Sequence, residues 1–130
     1  YDAGQDLHRA AQAELAPVTT PEEVLAFRRE LVGIKIAPEV LRYLGEVVRA
    51  TRTSPQIQVG ASPRAAVHLL LMTKARAAME GRDFATPDDV KAVAPAVLRH
   101  RLLLTPGDQV AAETPDRVLS GSLAQVEVPR

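Results

Sequence analysis

Six times in 130 residues a hydroxyl residue is followed at once by proline, and four of these pairs lead into helical patterns: Thr20 in TPEEV, Ser62 in SPRA, Thr86 in TPDDV and Thr114 in TPDRV. Each reads as a helix start. The hydroxyl accepts a bond from a free backbone N–H, and proline fits the first helical position, where its missing N–H is no loss. Acids just inside three of these starts favour the positive end of the helix dipole. Glu23 and Asp89 stand three residues after their threonines, as in a capping box. The stretches between the starts do not match one another, so these are local signals and not an internal repeat. A chain punctuated in this way is directed toward short helices joined by modest loops.

Periodicity fills in the elements. Leu7, Ala11 and Leu15 predict a helix over 5–15. Val24, Phe27 and Leu31 form an inward face on a helix over 22–32, and Val40, Leu44, Val47 and Val48 do so over 38–51. Ile34 and Ile36 alternate as in a short extended segment. RTSPQIQVGAS is expected to be a loop, with Pro55 and Gly60 as breakers. The helix over 63–80 is the most apolar: Val67, Leu69, Leu70, Leu71 and Met72 run almost unbroken, which predicts burial on several sides, and Gly81 closes it. RDF is extended and is a candidate partner for IKI in a two-strand ladder. Val90, Val93, Ala94, Val97 and Leu98 mark a helix over 87–103 that Pro95 kinks or splits. The expected fold is all-α, a bundle of about five helices with at most a minimal two-strand ladder. Residues 1–16 form a leading helix, 17–104 the bundle, and 105–130 a peripheral tail with one short helix near Asp116 to Leu123.

Charge and composition narrow the functions. Lys plus Arg and Asp plus Glu each number 16, and aromatics are 3%, which argues against a nucleic-acid-binding bundle. No apolar run approaches the roughly 20 residues of a membrane span. The absence of cysteine removes disulfides and thiolate metal sites, and is compatible with a reducing cytosol. There is no GxxxxGK[ST] or GxGxxG motif. His8, His68 and His100 lack ligand spacing, and Glu22/Glu23 and Asp88/Asp89 are explained by helix first turns, so no metal or catalytic site is expected. Tyr1 stands where a methionine would, and the chain is expected to be a piece of a longer polypeptide.

One residue resists these explanations. Arg64 lies in the first turn of the apolar helix, at the end where cations are disfavoured. A guanidinium there, beside free backbone N–H groups, gathers donors suited to an anion such as phosphate. The alternative is that Arg64 meets an acid, Glu39 or Asp83, or only water. Gly60, Ser62 and Pro63 are the supporting start: Gly60 permits the preceding turn, Ser62 caps and Pro63 opens the helix. Arg52, Arg99, His100 and Arg101 are explained first as cations at helix C-termini.

YLGEVVRATR, then GASPRA, then ARAAMEGRDFATPDDVKAVAPAVLRHRL resemble the C-terminal lid of AAA+ ATPases of the MoxR family, over roughly Pro17 to Leu103. The resemblance implies that Arg64 is the sensor 2 arginine, contacting phosphates of an ATP held with Mg2+ by a preceding ATPase core that this chain lacks. Residues 1–16 would then link that core to the lid. The fragment itself would be no enzyme, and the complete protein would be an ATPase. Implied partners are the core domain of the same chain, neighbouring subunits in a ring that is often a hexamer, and proteins bearing von Willebrand factor A domains. The implied setting is a chaperone-like remodelling machine in the cytoplasm. Magnesium chelatase, with a similar lid arrangement, implies that Arg64 serves the same or a neighbouring subunit's nucleotide. Tyr1-Asp2 departs from the family's usual Tyr-Pro. The alternative function is a stand-alone helical module that binds a peptide in a groove.

Overall fold

The structure is a computed structural model and describes residues 16–106 and 114–129. The predicted helix over 5–15 lies outside the described residues. The chain forms two compact units, residues 1–30 and residues 31–130.

In the first unit, helix α1 (Pro21–Glu30) begins with a complete capping box. The Thr20 N–H donates to Glu23 Oε2 at 2.7 Å, and the Glu23 N–H donates to Thr20 Oγ1 at 3.2 Å. None of its residues is buried, so Val24 and Phe27, expected to face inward, are exposed. A ten-residue helix covers its apolar face only if another element is laid against it.

The second unit opens with a 3-10 turn (Leu31–Gly33) and strand β1 (Lys35–Ile36), followed by α2 (Pro38–Thr53), β2 (Ile57–Val59) and α3 (Pro63–Met79). Then come β3 (Phe84–Ala85), α4 (Pro87–Leu98), a 3-10 turn (Arg99–Arg101), β4 (Leu103–Leu104) and α5 (Pro115–Ala124). Val40, Leu44, Val47 and Val48 are buried as their spacing predicts, together with Tyr43. They meet Leu69 of α3, Val90, Ala94 and Leu98 of α4, and Leu119 of α5 in one core. The fold is a helical bundle, as expected.

The expected ladder is present: β1 and β3 pair in parallel, Lys35 opposite Phe84 and Ile36 opposite Ala85. A second ladder was not expected. Ile57 to Val59, read as loop, pair antiparallel with Leu103 and Leu104. Ile57 and Leu104 are buried there with Val118 of α5.

Three further expectations are corrected by the packing. Helix α3 buries a single stripe, Ala65, Leu69, Thr73 and Ala77, while Val67, Leu71 and Met72 are about half exposed. Its neighbours lie to one side, and an unbroken apolar run does not reveal how many sides are covered. Helix α4 is neither split at Pro95 nor extended to 103; it runs unbroken to Leu98, where the side chains of Arg99 and Arg101 donate to the carbonyls of Pro95 and Val97. The tail helix α5, capped by Thr114 as expected, supplies Leu119 and Val118 to the buried clusters and is not peripheral.

Helix α3 is closed just past its end by Gly81, whose φ of 73° is left-handed and natural for glycine at that position. Beyond it, Arg82 reaches back to Asp89 at the start of α4 with both terminal nitrogens, at 2.9 and 2.7 Å.

Candidate functional site at the start of the third helix

The GASPRA segment joins β2 to α3. Ser62 is extended (φ −76°, ψ 165°), and its Oγ accepts the Ala65 N–H at 3.3 Å. The Ser62 carbonyl accepts the N–H groups of Ala65 and Ala66 as well. Pro63 occupies the first helical position and fixes its own φ. The start of α3 is therefore rigid, and Ser62 and Pro63 hold it as their sequence positions suggested. The cap takes up the Ala65 N–H and Pro63 has no N–H to give, so two donors that a helix start could otherwise offer to an anion are not available. What remains is the Arg64 N–H, which has no intrahelical acceptor, and the guanidinium.

Arg64 is exposed. Among the described residues it makes no ion pair and no side-chain hydrogen bond. Neither acid considered from the sequence pairs with it: Asp83 engages Lys35 at 3.4 Å, and Glu39 makes no ion pair among the described residues. A cation that projects from a capped helix start without a carboxylate keeps its full donor capacity for an external group.

The backbone beneath Arg64 is anchored from α2. Thr51 is fully buried; its hydroxyl donates to the Val48 carbonyl at 2.7 Å and accepts the Ala61 N–H at 2.9 Å. The next residue, Arg52, donates from Nε to the Ala61 carbonyl at 2.8 Å. Gly60 lies so close to this turn that a Cβ would sit 2.6 Å from the Thr51 carbonyl oxygen and 2.8 Å from Arg52 Cα. Glycine is needed here for close approach. A shallow groove beside the helix start is lined by Gly45, Val48, Arg49, Arg52, Pro63 and Ala66.

Gly60, Ser62, Pro63 and Arg64 are thus brought together as the sequence suggested. Thr51 was not singled out, because a threonine in a helix's last turn carries no local signal of a bond made ten residues ahead. Arg52 was read as a helix-end charge, and its bond to Ala61 is a different use. His68 lies elsewhere, with its Nδ1 at 2.9 Å from Arg101 Nη2.

A model of the AAA lid domain matches residues 49–120, a stretch that contains Thr51, Arg52, Gly60 and Arg64. The chain belongs to the AAA lid domain family. Among its relatives, Chaperone MoxR1 of Mycobacterium tuberculosis is 39% identical over 98 residues, covering 68% of this chain and 26% of that protein. The uncharacterized protein YeaC of Bacillus subtilis is 30% identical over 115 residues, 88% of this chain and 36% of the relative. The magnesium-chelatase 38 kDa subunit of Acidiphilium rubrum is 33% identical over 108 residues, 81% of this chain and 31% of the relative. A crystal structure of a Cytophaga hutchinsonii protein, provisionally named an ATPase, superposes with a TM-score of 0.78 at 29% identity, covering 84% of this chain and 36% of that one. The chain is the C-terminal lid of a MoxR-family AAA+ protein, and it spans about a third of the length of these relatives. Its described helices include none long and apolar enough to cross a membrane.

Proposed function

We propose that this lid senses the nucleotide of an AAA+ ATPase, with Arg64 as the sensor 2 residue. The observation that carries this reading is the exposed guanidinium, unpaired among the described residues, at a rigid helix start within the stretch that matches the lid family. The donor set fits a phosphate: a planar guanidinium that can bond two oxygens at once, beside an exposed first-turn N–H. Bound ATP with Mg2+ would supply the phosphoanhydride that is cleaved, at a site completed by the core domain or by a neighbouring subunit.

Arg64 would direct positive charge at the phosphate oxygens and bear on them differently before and after hydrolysis. Because Ser62, Pro63 and the α2 anchor fix its base, a change in that contact moves the bundle as a body. The lid thereby couples hydrolysis to motion in a chaperone-like remodelling or assembly machine. In this reading the assembled protein is a cytoplasmic ring, often a hexamer, that engages von Willebrand factor A domain partners.

The stand-alone module has one observation in its favour, an apolar groove lined by His68, Leu71, Met72, Ala96, Val97 and Arg101. Membership of the lid family weighs against it.

In the full-length protein, Arg64→Ala is expected to lower ATP turnover by about 10- to 100-fold, the scale of losing one charged donor at a reacting phosphate. The melting temperature should stay within about 2 °C of the parent, since the side chain is exposed and unpaired. Unchanged turnover, or an unfolded lid, overturns the assignment.

A further inference from the structure

We infer that Arg52 is a positioning residue for nucleotide sensing, holding the backbone from which Arg64 projects; the inference rests on the sensor reading of Arg64.

An arginine in the last turn of a helix ordinarily serves that helix, donating to its final carbonyls. Arg99 and Arg101 do so at the end of α4. Arg52 does something else. Its Nε reaches nine residues ahead to the carbonyl of Ala61 at 2.8 Å, three residues before Arg64. Ala61 is fully buried, so its polar groups need partners inside the protein. Two consecutive residues of α2 provide both, Thr51 taking the N–H and Arg52 serving the carbonyl.

Between Ala61 and Arg64 stand only Ser62, extended and capped, and Pro63, with its φ fixed by its ring. Few torsions are free along that path. The base of the Arg64 side chain is therefore indexed to the last turn of α2, with Gly60 allowing the two backbones to touch. Loss of the Nε bond would release one side of this clamp while Thr51 kept the other. The result would be a displaced or more mobile Arg64 in a folded lid. A misplacement of that kind lowers catalytic rate more than it lowers substrate affinity.

The test uses the full-length protein with MgATP and the variants Arg52→Gln, Arg52→Lys, Arg64→Ala and Arg52→Gln/Arg64→Ala. Arg52→Gln is expected to lower kcat about three- to tenfold, the range for losing one hydrogen bond, with a smaller change in KM. Arg52→Lys, which keeps a donor, should recover part of the loss. The double variant should be no slower than Arg64→Ala alone, because a displaced Arg64 and a missing one fail in the same way.

If Arg52→Gln leaves kcat unchanged while Arg64→Ala lowers it, the inference fails and the sensor reading stands. If the two losses multiply in the double variant, Arg52 acts independently of Arg64 and the inference is again wrong. If Arg64→Ala has no effect, both readings fall. Should Arg52→Gln lower the melting temperature by more than about 5 °C, the comparison is repeated with Arg52→Lys alone and combined with Arg64→Ala. Non-additive loss then supports the clamp, and multiplied or absent loss overturns it.

Discussion

Asp89 is 2% exposed and still carries a charge. Burial pushes its carboxyl pKa up, but the bonds from Arg82 and from the Thr86 N–H and hydroxyl outweigh that, leaving the pKa below the ordinary carboxylate value. The Thr86 groups lie at 2.8 and 2.9 Å, and Arg76 Nε adds a contact at 3.5 Å. With the folded pKa depressed, the stabilisation is fully present above the unfolded carboxylate's pKa, near 3.9. It is lost as pH falls through the lower folded value. Thermal melts should therefore show this contribution as flat near neutrality, with Asp89→Asn losing less stability than the parent over the acid range. At pH 7 Asp89→Asn should cost about 2–3 kcal/mol in denaturant unfolding, because a buried charge-assisted network loses its anion. The capping role of Asp89 was legible, since TPDDV places an acid three residues after a hydroxyl. Its burial and its arginine partner were not: Arg82 belongs to a turn, and turn side chains carry no periodicity from which a direction can be read.

The same contrast holds for whole elements. The threonine-proline starts at Thr20, Thr86 and Thr114 are helix N-termini, and the buried positions of α2 and α4 follow their apolar spacing. These are local properties, decided within a turn or two of chain. The second ladder is different. Ile57 and Leu104 are 47 positions apart, and strands of two or three residues are too short for alternation to declare itself. The glycine between β2 and α3 is also non-local in its reason, since it is the carbonyl of Thr51 and the backbone of Arg52 that exclude a side chain. Gly60→Ala is expected to destabilise the lid by about 1–3 kcal/mol, the cost of forcing an atom into a closed contact. Chemical denaturation reads this directly, and a wild-type midpoint would show that the two backbones can separate without penalty.

At the scale of the molecule, the tail is part of the folding unit. Leu119 is fully buried in the core that α2, α3 and α4 share. Leu119→Ala should therefore cost about 2–4 kcal/mol, seen as a lower denaturant midpoint with a single cooperative transition; a neutral effect would return the tail to the periphery. The sequence placed a helix there but did not show that it reached the core, because ten residues with two buried apolar side chains resemble a surface helix. Helix α3 has a bearing on how the lid would move as a body. The residues it buries are spaced four apart and include two alanines and a threonine, so its flank sits close against α4 with little side-chain padding between them. Seventeen residues of helix span about 25 Å. A beam of that length, packed along its flank against α4, would deliver at its Met79 end a push received at Arg64.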